Sequence, residues 1–439
     1  MWGGRAKAGD RSVANYDEDT VTMAVEAAQQ CLDGVDRDTI DMVILASTTL
    51  PYAEKQAAAI VAEALDLRTG VDTLDVASSL RCGTQALRAG INALAGGARR
   101  VLVAVADQRK SQAGSKTEPE MGDGAVALLL GPDSAVSIRN LRSEYSTAMD
   151  RWRLPGDDFV RQGDERFTSK VLYEDGVAAA IKQVLAEARL KPEQINKVAV
   201  SGSDHRASVA AAVGGGFKAA AVAGEVVYTK VGHCGAAAGL LNLLAGLEQA
   251  AAGDAVLLAN YGDGTDVLLA TAQAPQPLGT SLARALDDGR PLKYAQFLRF
   301  KSLVETETVT PYTSEISIWR DNKYLTRLHG PRCNKCGAIQ YPPRRICYKC
   351  NTKDNFTEVA LAKQGTLFTF TVEHLFPIPD TRLVTGAVDL TDGTRLYTQL
   401  TDCPAEDAQI GMNLRLVLRV LHRGGGFYHY FWKAAPVRA

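Results

Sequence analysis

Between residues 20 and 275 the chain repeats its own pattern, and that repeat limits its fold more than any other feature. Ile40-Asp41-Met42-Val43-Ile44-Leu45-Ala46-Ser47 reads as a buried strand preceded by an amphipathic helix, Thr20 to Leu32. Ile195-Asn196-Lys197-Val198-Ala199-Val200-Ser201-Gly202 matches it, preceded by a helix from Gly176 to Arg189. Next in the first half come Arg81-Cys82-Gly83, a helix to Ala95, a strand Val101 to Ala106, and Gly122-Asp123-Gly124-Ala125-Val126-Ala127-Leu128. The second half answers with His233-Cys234-Gly235, a helix to Ala251, a strand Ala255 to Ala259, and Gly262-Asp263-Gly264-Thr265-Asp266-Val267-Leu268. Duplicated α/β halves pack about a pseudo-twofold axis. The turn at Cys82 is therefore expected to face the turn at His233 and Cys234. Each stands at a helix start, where the dipole and free N–H groups favour a thiolate or an oxyanion.

A different signal follows residue 330. Cys333-Asn334-Lys335-Cys336 is succeeded, after ten residues, by Cys347-Tyr348-Lys349-Cys350. Two CxxC knuckles supply four thiolates for one tetrahedral zinc. Four sulfur ligands leave no position for water, so the metal is expected to be structural. Beyond it the pattern is all β: Gly365 to Leu375, Leu383 to Leu390, an Asp392-Gly393 hairpin into Arg395 to Leu400, then Leu414 to Leu421 and Phe427 to Trp432 around Gly424-Gly425-Gly426. This predicts a small closed barrel such as an OB-fold. Phe427, Tyr428, Tyr430 and Trp432 read as core and edge residues, since the barrel has no basic excess for nucleic acid.

With 439 residues and a net charge of −1, the chain has room for several cores and carries no field toward nucleic acid or anionic membrane. Its longest apolar run, Cys234 to Leu247, is too short to span a bilayer, and residues 1–7 do not read as a signal peptide. A cytoplasmic protein without nucleic-acid or membrane partners is expected.

Further segments connect the repeat to a known family. They are Asn15-Tyr16-Asp17-Glu18-Asp19-Thr20, Pro51-Tyr52-Ala53-Glu54-Lys55, Asp75 through Thr84, Trp152 to Phe167, and Gly232-His233-Cys234-Gly235-Ala236-Ala237-Ala238-Gly239. By these the chain resembles the thiolase superfamily, especially its hydroxymethylglutaryl-CoA synthase and ketoacyl synthase III branches. The C-terminal part resembles the zinc-ribbon and OB-fold proteins that accompany acyl-CoA thiolases. The resemblance implies a five-layer αβαβα domain over 1–275, with halves of about 1–135 and 170–275. A linker at 276–330, a zinc ribbon at 331–352 and an OB-fold at 353–439 follow. Relatives begin with a strand that does not appear here. The resemblance also implies a coenzyme A thioester as substrate. It implies a homodimer, or a hetero-oligomer with a thiolase subunit.

The residues of the reaction transfer less well. The family's nucleophilic cysteine aligns with Leu80, its glutamate with Thr48, and a histidine with Gly202 or Ser203. Cys82, His233 and His205 are therefore the catalytic candidates: a nucleophile, the histidine of the thiolase loop, and a base beside Asp204. The alternatives are a buried filler thiol, a core histidine, and an Asp204 helix cap. The leading expectation is an acyl-CoA-dependent acyltransferase or synthase that makes or breaks a C–C bond by Claisen chemistry. In it, backbone N–H groups hold the oxyanion; Gly262-Asp263-Gly264 either offers one of them or is only a turn. One alternative is a non-catalytic subunit that partners an active thiolase. The other is a retro-aldol lyase that needs no cysteine but uses His233 or a tyrosine such as Tyr261.

Overall fold

The computed structural model describes residues 9–132, 134–202, 204–274, 282–287, 289–307 and 311–437. Ser203 and residues 275–281 thus lie outside the described residues. The chain forms two compact units: Met1–Val13, Ala27–Ala62 and Leu67–Pro291 make one, and Ala14–Glu26, Glu63–Asp66 and Leu292–Ala439 make the other.

The first unit is the duplicated α/β part. Its first half runs from the end of α1 (Thr20–Cys31) through β1 (Met42–Ser47), α2 (Ala57–Ala64), β2 (Asp72–Ala77), α3 (Cys82–Ala95), β3 (Val101–Gln108) and β4 (Asp123–Leu130). The sheet order is β2-β1-β3-β4, with β1 parallel to both β2 and β3 and β4 antiparallel. β5 (Val136–Tyr145) opens the second half, and a two-residue ribbon, β6 (Arg151–Trp152) and β7 (Arg161–Gln162), follows. Then come α4 (Gly176–Ala188), β8 (Lys197–Ser201), α5 (His205–Gly214), β9 (Val222–Ala223), α6 (Glu225–Lys230), α7 (Ala237–Leu247), β10 (Ala255–Tyr261) and β11 (Gly264–Ala272). Their sheet is β5-β11-β10-β8-β9. Strand for strand the two halves match, and both end in the antiparallel hairpin that the repeated Gly-Asp-Gly signals. Beside β4, in the place β5 takes beside β11, no strand stands among the described residues, and β4 is half-exposed where β11 is buried.

The central strands are apolar on both faces because helices cover both. Val43 to Ala46 and Val101 to Ala106 are completely buried. α3 and α7 pack together between the sheets. α7 (AAGLLNLLAGL) is buried nearly all round, as a middle-layer helix must be. Small residues permit the close approach: a Cβ on Gly83 would stand 2.8 Å from the Ala236 carbonyl oxygen.

The second unit holds α8 (Tyr294–Phe300), α9 (Glu315–Leu325), the ribbon strands β12 (His329–Cys333) and β13 (Phe356–Ala360), and β14 (Gln364–Glu373), β15 (Leu383–Leu390), β16 (Arg395–Leu400), β17 (Asn413–Gly424) and β18 (Phe427–Pro436). The last five close into a barrel, β14-β15-β16-β18-β17. Its residues alternate inward and outward, as a small filled barrel requires. Trp432 is fully buried, and its indole N–H donates to the Thr326 carbonyl at 2.8 Å.

Residues 14–26 group with this barrel, and the reason is electrostatic. Lys433 and Arg419 are almost wholly buried. Asp17 accepts from Lys433 at 2.8 Å and faces Arg419 at 3.5 Å, while Glu18 and Asp402 reach Arg419 at 3.1 and 2.8 Å. Tyr430 donates to Asp19 at 2.7 Å, and Asn15 donates to Asp402 at 2.7 Å. Buried cations are tolerated only when paired this closely.

Candidate active site

The turn at Cys82 meets the turn after His233 and Cys234, where a Cβ on Gly83 would stand 2.8 Å from the Ala236 carbonyl oxygen. Leu80 lies against the turn after β10, where a Cβ on Gly262 would stand 2.6 Å from the leucine's own Cβ. Arg81 fixes this meeting. Buried, it gives one N–H to Asp266 at 2.9 Å, another to the Asp263 carbonyl at 2.9 Å, and bonds the Gly262 carbonyl and the Ser143 hydroxyl. Thr84 also donates to Asp266, and Asn260 donates to Thr84 at 3.1 Å.

At the other turn, Asp107 is fully buried at the end of β3 and accepts five hydrogen bonds. They come from the Ser47 hydroxyl (2.7 Å), Thr48 N–H (2.7 Å), Thr48 hydroxyl (2.8 Å), Thr49 hydroxyl (3.0 Å) and Ala236 N–H (2.7 Å). One carboxylate thus ties β1 of the first half to the start of α7 in the second.

Between these turns lies a cleft of about 490 Å³, its open mouth included, lined by residues such as Leu80, Asp150, Arg151, Tyr173, His233 and Tyr261. His233 is buried, and its backbone N–H donates to the Glu120 carbonyl at 2.7 Å. The Gly235 N–H donates to His233 Nδ1 at 3.3 Å. A neutral ring accepting at Nδ1 carries its proton on Nε2. Burial, and then the charges of Arg151 and Arg109, push this imidazole well below the usual histidine range, so the neutral form prevails. Tyr261 and Asp150 line the cleft together, and burial followed by that carboxylate pushes the phenol far up. Burial likewise raises the Asp150 carboxyl, against the pull of Arg151 and of Tyr261. Tyr173 meets Tyr261 edge-on with centroids 5.3 Å apart.

Cys82 stands elsewhere. It is fully buried in the core beside α7, does not line the cleft, and burial and then Asp107 push its thiol well above the ordinary value. Cys234 is also buried, its thiol pushed up to about 12 by burial and Asp107. His205 begins α5 and lies beside the Tyr228 ring at 5.9 Å, away from the cleft lining; Asp204 caps the helix by accepting the Ala207 N–H at 2.9 Å. The backbone N–H groups expected to hold an oxyanion are partly committed. Gly235 donates to His233, Ala236 to Asp107, and Gly202 to the Tyr228 hydroxyl at 2.9 Å. Gly262-Asp263-Gly264 is a closed turn, with Gly262 N–H on the Gly264 carbonyl at 2.8 Å.

The four ribbon cysteines gather as their spacing predicts. Their sulfurs lie within 4.8 Å of one another, Cys333 and Cys350 at 3.6 Å and Cys336 and Cys347 at 3.5 Å. Four sulfurs about 2.3 Å from a tetrahedral zinc stand about 3.8 Å apart, so this set fits the ion. The cleft holds no comparable cluster among the described residues.

Two family models match the C-terminal part: the rubredoxin-like zinc ribbon domain of ChsH2 over residues 326–355 and the ChsH2 C-terminal OB-fold domain over 358–419. A DUF35 domain-containing scaffold protein of Methanocaldococcus jannaschii is 35% identical over 124 residues, covering 27% of this chain and 88% of that protein. A hydroxymethylglutaryl-CoA synthase of Pyrobaculum calidifontis is 28% identical over 311 residues, covering 67% of this chain and 87% of the relative. The chain is a thiolase-superfamily core fused to a zinc ribbon and an OB-fold. A solved HMG-CoA synthase complexed with CoA shares the fold of the thiolase core at TM-score 0.61 and 20% identity, covering 69% of this chain and 85% of the other. MvaS in complex with 3-hydroxy-3-methylglutaryl coenzyme A does so at TM-score 0.58 and 18% identity, covering 69% and 85%.

Of the residues read from the sequence, the cleft brings together Leu80, His233 and Tyr261 and leaves Cys82 and His205 outside. Asp150, Arg151, Asp107 and Arg81 escaped that reading. Asp150 and Arg151 lie in a connection without periodicity. Asp107 and Arg81 look like ordinary charges until the halves are placed against each other.

Proposed function

We propose that the chain cleaves, or in reverse forms, the C–C bond of a β-hydroxyacyl-CoA thioester by aldol chemistry, without a covalent acyl-enzyme. One observation carries this reading: Tyr261 with Asp150 and a neutral His233 share one cleft, while the only cysteine near the family nucleophile position is buried. Tyr261 takes the carbinol proton and passes its own to Asp150, whose raised basicity suits the task. The bond between the α and β carbons breaks, leaving a ketone, and its electron pair passes to the thioester carbonyl. His233 Nε2–H holds the resulting enolate oxygen. A proton returned to the α carbon completes acyl-CoA.

The test is ketone release from a tertiary β-hydroxyacyl-CoA. Tyr261→Phe is expected to lower kcat by about 100-fold or more, with KM little changed. Cys82→Ala is expected to leave kcat within about twofold. Rate is expected to fall as pH drops through the raised Asp150 range, because the relay needs its carboxylate unprotonated. Full activity in Tyr261→Phe, or an acyl adduct on Cys82, sinks the proposal.

Leu80 at the nucleophile position also suits a non-catalytic subunit that accompanies an active thiolase. That reading is favoured if turnover arises only on mixing with such a partner and survives Tyr261→Phe in this chain.

A further inference from the structure

No residue of α9 is fully buried. A helix of eleven residues is marginal in water by itself, so its stability has to come from packing an apolar face. The inner side of α9 leans on β12 and β18. There Asn322 donates to Glu63 at 2.8 Å, and the Tyr341 hydroxyl donates to the Tyr324 carbonyl at 3.1 Å. The large apolar groups lie on the other side. Trp319 is 81% exposed, Ile316 68%, and Tyr312, just before the helix, 69%. Ile316 and Trp319 are three residues apart and share a face. The Tyr312 hydroxyl reaches the Glu315 carboxylate at 3.5 Å, which keeps the tyrosine beside the helix start. A contiguous exposed stripe of this kind marks a contact surface, and Trp, Tyr and Arg are the residues in which binding energy concentrates.

The charges beside the stripe select its occupant. Exposed Glu315 flanks it near the N-terminal end, and exposed Arg320 and Lys323 toward the C-terminal end. An antiparallel copy of the same helix, with the two-fold axis between Ile316 and Trp319, sets Ile316 against Trp319, Glu315 against Arg320 and Tyr312 against Lys323. The three meetings are apolar, opposite in charge and cation–π, and each is favourable. A parallel pairing sets Glu315 on Glu315 and Lys323 on Lys323, which repel. Arg320 and Lys323 hold Asp321 and Glu358 within the chain, but these pairs are exposed, contribute little and exchange readily.

We propose that α9 pairs with the α9 of a second copy of this chain in an antiparallel, isologous contact. The surface belongs to the zinc-ribbon and barrel unit, apart from the thiolase core, and is independent of the chemistry in the cleft. Three such side chains from each copy remove on the order of 800 Å² from water, less than a standard interface, so the pairing is of micromolar strength.

Sedimentation velocity of the full zinc-loaded chain, from about 1 to about 200 μM, tests this. The mass is expected to double across the range, whatever the assembly at its lower end. Trp319→Ser is expected to raise the Kd of that step by about tenfold or more. Glu315→Arg and Arg320→Glu, each alone, are expected to do the same, because each brings like charges together twice. An equimolar mixture of these two variants is expected to restore the doubling, since every charge then meets its opposite across the pair. Zinc content and circular dichroism confirm that each variant is folded. Constant mass across the range, a doubling that survives Trp319→Ser, or a mixture that associates no better than its components overturns the proposal. So does a chain of constant mass that retains a thiolase subunit in a Trp319-dependent way, because the stripe then serves a different partner.

Discussion

Leu80 and Cys82 are two residues apart, yet one lines the cleft and the other is sealed in the core. Two steps at a helix start turn a side chain by about 200°, so a small shift in placement exchanges a site residue for a packing residue. The sequence could place the thiol near the seam but not on the right side of it. His233 was legible because a polar ring before a Gly-Ala-rich helix start needs a reason. Glu18 was not, because its surroundings come from the far end of the chain. Burial raises its carboxyl from 4.5 to about 7, against the pull of Arg419. The folded state therefore binds this proton more tightly than the unfolded chain does. The contribution is fully present below about pH 4.5 and lost as pH rises through about 7. Glu18→Gln, which cannot ionise, is expected to gain stability over the parent protein at pH 8 and to gain little at pH 4. Urea denaturation at the two pH values, followed by tryptophan fluorescence, checks it; a gain independent of pH would contradict it.

Among elements, the zinc ribbon and the hairpins were the most readable, because each is dictated by residues close in sequence. The strands Leu383–Leu390 and Arg395–Leu400 fall where Asp392-Gly393 predicts, with Gly393 at φ +84° making the turn. Barrel closure was less readable, since it rests on two distant pairings, Leu400 with Ala434 and Gln364 to Thr366 with Asn413 to Arg415. Within 329–360 the buried residues are just Gly330, Pro331, Cys333, Gln340 and Cys347, too few for a core, so metal binding and folding of the ribbon are one event. The purified chain is expected to carry one zinc, released by mercurial titration of the thiols. Cys336→Ser is expected to lose the metal and to make segment 329–360 protease-sensitive while the α/β unit keeps its unfolding transition. Metal content and limited proteolysis read both; full zinc occupancy in the variant would refute the four-sulfur site.

Over the whole molecule, duplication is the feature that a single sequence discloses best, because order and spacing survive where side chains diverge. The meeting of the halves is also where packing tolerates least. A methyl group at Gly83 would stand 2.8 Å from the Ala236 carbonyl oxygen and 3.2 Å from Val105. Neither the backbone of α7 nor a central strand can move aside cheaply. Gly83→Ala is thus expected to destabilise the α/β unit by about 1–3 kcal/mol, seen as a lower Tm for its transition; an unchanged Tm would mean the seam is looser than described.

Asp17, which faces both Lys433 and Arg419, is encoded 416 residues upstream of the lysine, whereas Asp402 reaches Arg419 from within the barrel part. A gene fragment starting at the linker would specify every strand of the barrel and still leave Lys433 without its Asp17 carboxylate and Arg419 with Asp402 as its remaining ion pair. An experimenter who wants this module intact must carry residues 14–26 along with it.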